Sequence, residues 1–200
     1  MASTQREIRT PRLLLRPITD DDVHDIFTIN ANPEVMKYIS RPPATDIEET
    51  RAWLADHRAG PSTFQCAAQL LHPEADGAAS EPRRVIGILG SPTFPNIGYL
   101  FHPDYQGKGY ATEALRAFVP AMFGHMPRAG SAGARGYDYV QAFADTENVR
   151  SRAVLERCGF AFCGVVPGEF SSPLLGLRDS ACYRLARSGE PLDQMQLQMS

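Results

Sequence analysis

Hydrophobic and polar positions along this chain alternate over short stretches, and segments with helical spacing separate these stretches. Near the start, "RLLLRPI" (12–18) places leucines two residues apart and stops at Pro17, which predicts a first strand. The apolar positions that follow have helical spacing and stand behind Thr19 and Asp22, a pair typical of a capping box. The opening of the chain therefore predicts a strand followed by a helix.

Two more helices are predicted before the middle of the chain. Asn32 followed by Pro33 is typical of a helix cap and first turn, so "NPEVMKYIS" predicts a short helix. Thr45 and Glu48 repeat the capping-box spacing ahead of another set of helically spaced apolar residues. That third helix is expected to end at about His57.

Short strands dominate the next part of the chain. Alternation and apolar content predict strands at "TFQCAAQL" (63–70), "VIGILG" (85–90) and "IGYLF" (97–101). The polar segment 72–84, rich in residues that break regular structure, predicts a loop between the first two.

A helix is predicted directly after the third of these strands, in "GYATEALRAFVPAMF". Its apolar residues recur at intervals of three and four, but Pro120 should kink or end it, at a cost of about 3 kcal/mol in a regular turn. Residues 124–136, rich in glycine, alanine and arginine, predict a mobile loop.

In the last third of the chain, the hydrophobic pattern predicts a strand at "YVQAFA" (139–144) and a helix at "NVRSRAVLERCGF" (148–160). Two closing strands are predicted at "AFCGVV" and "ACYRLAR". This order of elements indicates an α/β domain with a mixed sheet. After Arg187 the tail is polar and is expected to be disordered.

Composition narrows the range of functions. The chain has 200 residues, 43% of them hydrophobic and 22% charged, which suits one globular domain. With a formal net charge of -3, nothing points to a nucleic-acid partner, which usually needs a basic face. No apolar run approaches the length of a membrane span and the first residues do not resemble a signal peptide, so we expect a cytoplasmic protein without a membrane partner. The four cysteines lack metal-ligand spacing, so we expect reduced core thiols and no metal.

The stretch "HPDYQGKGYATEAL" (102–115) carries the first candidate chemistry. A strand delivers the chain into "QGKG" and then into a helix, whose first amides lack internal partners and attract an anion. Gly107 and Gly109 remove the Cβ atoms that would keep a phosphate from the backbone, while Gln106 and Lys108 add a donor and a charge. The stretch therefore predicts a phosphate-binding loop, although an ordinary turn between a strand and a helix would also explain it.

Two common phosphate-binding motifs are missing from this stretch, which excludes two classes of ligand. A nucleoside-triphosphate loop would read G-x-x-x-x-G-K-[ST], and the stretch does not. A dinucleotide fingerprint needs a third glycine and a place after the first strand of its unit. A phosphate-loop kinase or a dehydrogenase therefore lacks its own motif in this chain.

The second candidate lies at the start of the predicted helix 148–160. Asn148 and Ser151 are three positions apart and so share a face, and the apolar residues that continue this face turn it inward. Gly159 has the position of a left-handed residue that ends a helix, with Phe160 folding back. Helix capping without chemistry would also explain the polar pair.

Together these motifs resemble the GNAT acetyltransferases. "QGKGYA" is similar to their acyl-CoA-binding motif [RQ]-x-x-G-x-[GA], with Gln106, Gly109 and Ala111 at its defined positions. "NVRSRAVLERCGF" resembles the N-x-x-S-x-x-[VL]-L-E-x-x-G-F motif of the RimJ/RimL-like branch, as do "RLLLRPITDDD" and "NPEVMKYIS". The resemblance covers residues 12–187. It implies that these residues form one domain, preceded by an N-terminal extension at 1–11 and followed by a tail at 188–200. It implies a twisted, mostly antiparallel mixed sheet of about seven strands flanked by about four helices.

The resemblance also implies a reaction, in which an amine directly attacks the thioester of acetyl-CoA in a ternary complex. Ser151 would protonate the leaving thiolate, and Asn148 would position the pantetheine or the amine; backbone amides would stabilise the oxyanion. The implied acetyl-CoA-binding residues are Leu100, Phe101, His102, Gln106, Gly107, Lys108, Gly109, Tyr110, Ala111, Thr112 and Asn148.

The chain departs from the family where the base is expected. Relatives often carry a glutamate just before "IGY", where this chain has Pro95 and Asn96. Glu169, in a predicted loop, is the candidate base, although an exposed loop acid would look the same. An α-amine, with a pKa of about 7.7–8.0, is partly neutral near pH 7 and needs a base less than a lysine amine of pKa about 10.4.

Four other residues have side chains that could take part in the chemistry. Asp145 and Glu147 are further candidate bases, or acids that favour a helix start. His102 could titrate in the useful range, but it lies where the family uses backbone. Cys158 lies on a core face, which favours packing over an acyl-cysteine.

Two functions remain open from the sequence. The first is an acetyl-CoA-dependent N-acetyltransferase acting on a small-molecule or peptide N-terminal amine, as a monomer or homodimer. The second is a catalytically weak acyl-CoA-binding module, which the missing glutamate and the segments around Pro120 and 124–136 would suit.

Overall fold

A computed structural model describes residues 7–58, 64–72, 85–128, 136–187 and 192. In these ranges the strands are β1 (Ile8–Arg9), β2 (Leu13–Arg16), β3 (Phe64–Leu70), β4 (Val85–Ser91), β5 (Gly98–Phe101), β6 (Tyr139–Asp145), β7 (Ala161–Ser172) and β8 (Gly176–Ala186). The helices are α1 (Val23–Asn30), α2 (Pro33–Met36), α3 (Ile47–Arg58), α4 (Tyr110–His125) and α5 (Val149–Arg157).

The strands form two antiparallel sheets rather than one. The first has the order β1-β2-β3-β4-β5, and the second the order β6-β8-β7. Within the described residues they are joined by one parallel bridge, between Asn96 and Gln141. The predicted mixed, mostly antiparallel α/β fold is confirmed, but the single sheet is divided because β5 and β6 do not pair beyond that bridge.

The first sheet is covered on both faces, because its strands place alternate side chains on opposite sides. On one face α4 contributes Phe118, whose ring centroid lies 5.1 Å from that of Phe64 in β3. On the other face Ile26 of α1 and Leu54 of α3 share a buried cluster with Ile88 of β4. This two-sided burial explains why β3 and β4 are apolar at nearly every position.

The short helix α2 has the predicted cap, but the cap of α3 differs from the prediction. The side chain of Asn32 accepts hydrogen bonds from the first amides of α2. For α3 the cap is Asp46, whose carboxylate accepts from the Glu48 amide at 3.0 Å. Thr45 donates instead to the carboxylate of Glu49, through its hydroxyl and its amide. The prediction of Thr45 and Glu48 as the capping pair was therefore wrong by one residue, since Asp46 and Glu49 accept the hydrogen bonds at this helix start.

Pro120 does not end α4, which continues to His125. The proline lies on the exposed side of the helix, while Phe118, Val119 and Met122 beside it are buried. Core packing on the opposite side thus keeps the helix intact despite the missing amide donor. Gly124 and His125 accordingly belong to the helix rather than to the predicted loop 124–136, of which 129–135 lie outside the described residues.

The end of α5 has the predicted geometry. Gly159 has φ +88°, the left-handed conformation expected of the residue after a helix. The Phe160 amide donates to the Leu155 carbonyl at 3.1 Å, and the Gly159 amide to Glu156 at 3.0 Å. Phe160 is buried, so the chain reverses into β7 with its backbone groups bonded.

β7 and β8 form a longer hairpin than the sequence indicates. β7 continues to Ser172, so Glu169 lies within a strand rather than in the predicted loop. At the far end of the hairpin, the Ser172 hydroxyl donates to the Lys37 carbonyl at 2.7 Å. The hairpin therefore touches the segment after α2, on the side of the first sheet where α1 and α3 pack.

At the N-terminus, β1 lies inside the stretch predicted as an extension. Ile8 pairs with Leu15 of β2 and packs against the core. The predicted tail 188–200 falls outside the described residues, except for Leu192. Across the described part of the chain, no helix is both long and apolar enough to cross a bilayer.

An ion pair fixes the turn between β2 and α1. The Arg16 guanidinium donates to both carboxylate oxygens of Asp22, at 2.7 and 2.6 Å, and the Thr19 amide donates to the same carboxylate. Burial opposes ionisation of Asp22, but these hydrogen bonds outweigh it and hold the pKa of this carboxyl below its ordinary value.

We expect the Asp22→Asn variant to lose about 1–3 kcal/mol of unfolding free energy at pH 7, because one charge of a largely buried pair is removed. A carboxyl with a lowered folded pKa stabilises the protein above its unfolded pKa of about 3.9 and loses this contribution as the pH falls through the folded value. Urea unfolding from pH 7 to pH 3 should therefore show the deficit shrinking below about pH 4. The exposed neighbour Asp21→Asn serves as the control, and a deficit independent of pH would contradict the assignment to charge.

Candidate active site

The open edges of β5 and β6 border a cavity of about 370 Å³. β5 is the last strand of the first sheet and β6 the first strand of the second, so each has one edge that pairs with no strand among the described residues. The cavity is lined by both strands, by Asn148 and Ser151 at the start of α5, and by the segment from Val35 to Arg41. It is therefore a wedge between the sheets that is open to extended ligands along the strands.

Backbone groups of β5 face this wedge at alternate residues. The His102 amide donates to Ile86 of β4 at 2.9 Å, so it faces the neighbouring strand. The intervening residues face the opposite way: the Ile97 amide bonds to Gln141 of β6, and the Phe101 carbonyl accepts from the Gln106 side chain at 2.9 Å. By this alternation Tyr99 and Phe101 present backbone groups to the wedge, whereas Leu100 and His102 present theirs to β4.

The predicted phosphate-binding loop lies at the end of β5. Gly107 and Gly109 have φ +76° and +84°, a conformation that other residues adopt only with strain. The first bond within the helix joins the Glu113 amide to the Gly109 carbonyl at 3.0 Å, so the preceding amides have no intrahelical acceptor. One part of the prediction changes: the Gln106 side chain donates to Phe101, and its backbone amide donates to Pro103.

Arg12 of the chain before β2 holds this loop from behind. Its guanidinium donates to the Lys108 carbonyl at 3.0 Å and lies over the Tyr110 ring at 4.2 Å. The same side chain pairs with Glu113 at 2.7 Å, and Thr10 donates to that carboxylate as well. Burial opposes ionisation of Glu113, but these hydrogen bonds lower its pKa. The loop carbonyl is thus turned toward Arg12, which stabilises the loop conformation.

Ser151 is brought into the wedge by the first turn of α5. The Asn148 side chain caps this helix by accepting from the Ser151 amide at 3.1 Å. The Ser151 hydroxyl lies 2.9 Å from the hydroxyl of Tyr99, which also contacts the Ser151 carbonyl at 3.1 Å. The polar pair predicted from sequence is therefore together at the cavity, and Asn148 has a capping role there.

Tyr99 was not singled out from the sequence. Burial raises the pKa of Tyr99 to about 12, although the hydrogen bond with Ser151 acts in the opposite direction. The phenol is therefore protonated at neutral pH and can donate to Ser151. The available signal was the alternation of Ile97, Tyr99 and Phe101, which places a polar hydroxyl on the inward face of an apolar strand.

The acidic residues near the wedge form ion pairs and hydrogen bonds with other protein groups. Asp145 accepts two hydrogen bonds from Arg178, at 2.7 and 3.0 Å, and one from the Glu147 amide. Burial opposes its ionisation, but these bonds lower the pKa of Asp145, which makes it a weak base. Glu147 pairs with the same Arg178 at 2.9 Å. Both acids stabilise the turn before α5.

Glu169 is exposed on β7, outside the cavity lining, and accepts a hydrogen bond from the Ser180 hydroxyl at 2.9 Å. Asn96, at the position where the resemblance implied a base, accepts from the Gln141 side chain at 2.8 Å. His102 caps a 3₁₀ turn by accepting from the Asp104 amide at 3.4 Å. None of these contacts points a carboxylate into the wedge.

The cysteines and acids give no metal site in the described ranges, where no group of three potential ligands occurs. All four cysteines are free. Cys158 bonds through sulfur to the Thr112 carbonyl at 3.7 Å, and burial raises its pKa, so the thiol joins α5 to α4 as a neutral group.

Comparison with known proteins agrees with this geometry. Residues 12–161 match the family described as the acetyltransferase (GNAT) domain. An uncharacterized N-acetyltransferase of Bacillus subtilis (strain 168), YoaA, is 26% identical over 170 residues, covering 80% of this chain and 85% of the relative.

Two solved structures share the fold. A spermidine N-acetyltransferase from Vibrio cholerae, in complex with CoA and spermine, superposes with a TM-score of 0.70 at 17% identity, covering 90% of this chain and 98% of that one. RimL, a ribosomal alpha-N-protein acetyltransferase in complex with coenzyme A, superposes with a TM-score of 0.71 at 17% identity, covering 92% of this chain and 100% of that one. Since the family match spans more than half of the residues, this chain belongs to the GNAT acetyltransferase family.

Proposed function

We propose that this protein transfers an acetyl group from acetyl-CoA to a primary amine in a ternary complex. The observation that carries the proposal is the continuity of the site. An open edge of β5 leads from the Tyr99–Ser151 pair to a glycine loop whose helix amides are suited to an anion. The GNAT match and the solved relatives that contain CoA support the same function.

In this proposal the pyrophosphate of acetyl-CoA binds the loop 106–112, and the pantetheine arm pairs with the free edge of β5. Because alternate residues of β5 turn their backbone groups toward the wedge, Tyr99 and Phe101 are better placed for that pairing than the predicted Leu100 and His102, whose backbone groups face β4. Asn148, which caps α5 at the cavity, would contact the arm or the amine.

The chemistry needs two proton movements. The neutral amine attacks the thioester carbonyl, the C–N bond forms, and collapse of the oxyanion breaks the C–S bond. Ser151 donates its proton to the leaving thiolate, and Tyr99, protonated at neutral pH, donates in turn to Ser151. Solvent restores the Tyr99 proton, and the product nitrogen loses its extra proton to solvent or a base.

RimL and the spermidine enzyme share the fold, but their names indicate different amine substrates. They therefore support acetyl transfer to an amine as the reaction class and do not identify the acceptor of this protein. The N-x-x-S motif carried by Asn148 and Ser151 favours the RimJ/RimL-like branch. We propose cytoplasmic action as a monomer or homodimer, without a metal, a nucleic acid or a membrane partner.

Acetyl-CoA binding is predicted to depend on the left-handed glycines. In the Gly109→Ala variant, a Cβ at φ +84° strains the loop by roughly 1–2 kcal/mol and meets the Arg12 guanidinium at 3.4 Å. We expect the dissociation constant, measured by titration calorimetry, to rise about 5- to 30-fold. Gly124→Ala, in the same helix with open space around its Cβ, is the matched control. Equal affinities of the two variants would argue against a phosphate site at the loop.

Thiol release from acetyl-CoA tests the proton donor. Ser151→Ala should lower kcat about 100-fold or more without changing the dissociation constant of acetyl-CoA, because the donor acts only on the leaving group. Tyr99→Phe should lower kcat about 5- to 10-fold, as expected for one lost hydrogen bond.

If Tyr99 acts through Ser151, the double variant should be no slower than Ser151→Ala alone. Tyr183→Phe is the matched control, because its hydroxyl bonds Arg152 and Glu156 instead of the cavity residues. Tight acetyl-CoA binding by the unmodified protein with no thiol release over a panel of amines would favour the weak binding module.

The pH profile tests the base. Since the described cavity lining has no carboxylate besides the paired Asp145, we expect the rising limb of kcat/KM to follow the acceptor's own pKa. The limb should move from about 8 for a peptide α-amine toward about 10 for a lysine amine. Glu169→Gln should leave it unchanged; a limb that disappears in this variant would identify Glu169 as the base.

A further inference from the structure

Arg41 is a partly buried cation at the edge of the cavity. Its guanidinium donates to the Asn30 side chain at 2.7 Å and lies over the Trp53 ring at 4.7 Å. Burial lowers the pKa of Arg41, and within the described part of the chain no carboxylate pairs with it. A guanidinium has five donors, so most of its hydrogen-bonding capacity is available to a ligand.

Three other arginines of the described chain are neutralised by carboxylates. Arg12 pairs with Glu113, Arg16 with Asp22 and Arg178 with Asp145. The Asp145 carboxylate, which also lines the cavity, is therefore already compensated. Among the described residues that line the cavity, Arg41 is thus the one charged side chain without an opposite partner, so its end of the cavity favours an anion.

The guanidinium is held in place rather than free to swing. Asn30 at the end of α1 accepts from Arg41 through its side chain and from the Ala44 amide through its carbonyl, so it fixes the segment on both sides of Arg41. Trp53 supports the guanidinium plane from α3. A preorganised fork of this kind matches the two oxygens of a carboxylate.

We propose that Arg41 binds an anionic group of the amine acceptor, and that the acceptor is a small amine carrying a carboxylate. The inference rests on the acyl transfer proposed above and specifies its substrate. The cavity volume of about 370 Å³ suits a small molecule next to the thioester. A polyamine would bring further positive charge toward an uncompensated guanidinium, so this cavity disfavours it.

The kinetic test uses pairs of amines that differ only in charge. Amino acids with one to five carbons between the nitrogen and the carboxyl are each compared with their carboxamide, at saturating acetyl-CoA. We expect the best carboxylate to exceed its carboxamide in kcat/KM by roughly 10- to 100-fold, as for a charge-assisted hydrogen bond, mainly through KM. Arg41→Gln should abolish this ratio and Arg41→Lys should keep part of it.

Arg51→Gln is the matched control, since it removes an equal charge from the exposed face of α3, where Arg51 pairs with Glu48. It should leave the carboxylate preference unchanged. Equal rates for carboxylates and carboxamides, or a preference that survives Arg41→Gln, would overturn the inference.

A binding measurement keeps the test independent of turnover. Trp53 is the only tryptophan of the chain, so its fluorescence reports on ligands at Arg41. The same amine pairs, titrated in the presence of CoA, should show tighter binding of a carboxylate that is lost in Arg41→Gln.

The two failures are distinguishable. If acetyl-CoA gives no calorimetric heat and no thiol release, the proposed acyl transfer fails, whereas the Trp53 titration still reports on the anion site. If transfer proceeds but carboxylates neither bind nor react better than carboxamides, the acceptor inference alone fails.

Discussion

The hydrogen bonds of Gln141 hold the two sheets together at one end of β5 and β6, and the cavity exists because β5 and β6 do not pair beyond them in the part of the chain that the structure describes. The Gln141 carbonyl accepts from the Ile97 amide at 2.8 Å, and its own amide donates to Pro95 at 3.0 Å. Its side chain bonds to Asn96 and Arg184. A sheet edge normally invites another strand, and here the two facing edges leave backbone groups unpaired where an extended ligand can bind.

Two helix starts and one strand converge on this wedge, and each is stabilised by contacts outside it. Gly109 is the cap residue of α4, and Arg12 holds the loop through Lys108 and Glu113. Asn148 is the cap residue of α5 and follows a turn in which Arg178 neutralises Asp145. The site thus has preorganised donors, while the acids around it serve as structural ion-pair partners. This explains how a family member can lack an obvious carboxylate base in the described cavity lining and still present the parts of an acyl-transfer site.

The local geometry of the proposed cofactor side was largely readable from sequence, because it depends on residues that are close together in the chain. Glycines at 107 and 109 indicate a left-handed loop wherever they stand, and Asn148 with Ser151 indicates a helix cap by spacing alone. Predictions from local spacing were wrong where tertiary packing determines how far a helix extends or where it begins. Pro120 is tolerated because α4 is held by its buried face, and α3 begins one residue later than the capping pattern indicates.

The sequence by itself determined the family, the order of strands and helices from β2 onward, the left-handed glycine loop before α4 and the end of α5, since each depends on residues close together in the chain. Only the tertiary structure decided that the sheet divides between β5 and β6, that Tyr99 reaches Ser151 across 52 positions, and that Arg41 lies on Trp53 at the cavity. These contacts join side chains from different elements. Their energies come from burial, hydrogen bonding and cation–π contact between residues that are far apart in the chain, which no local pattern records.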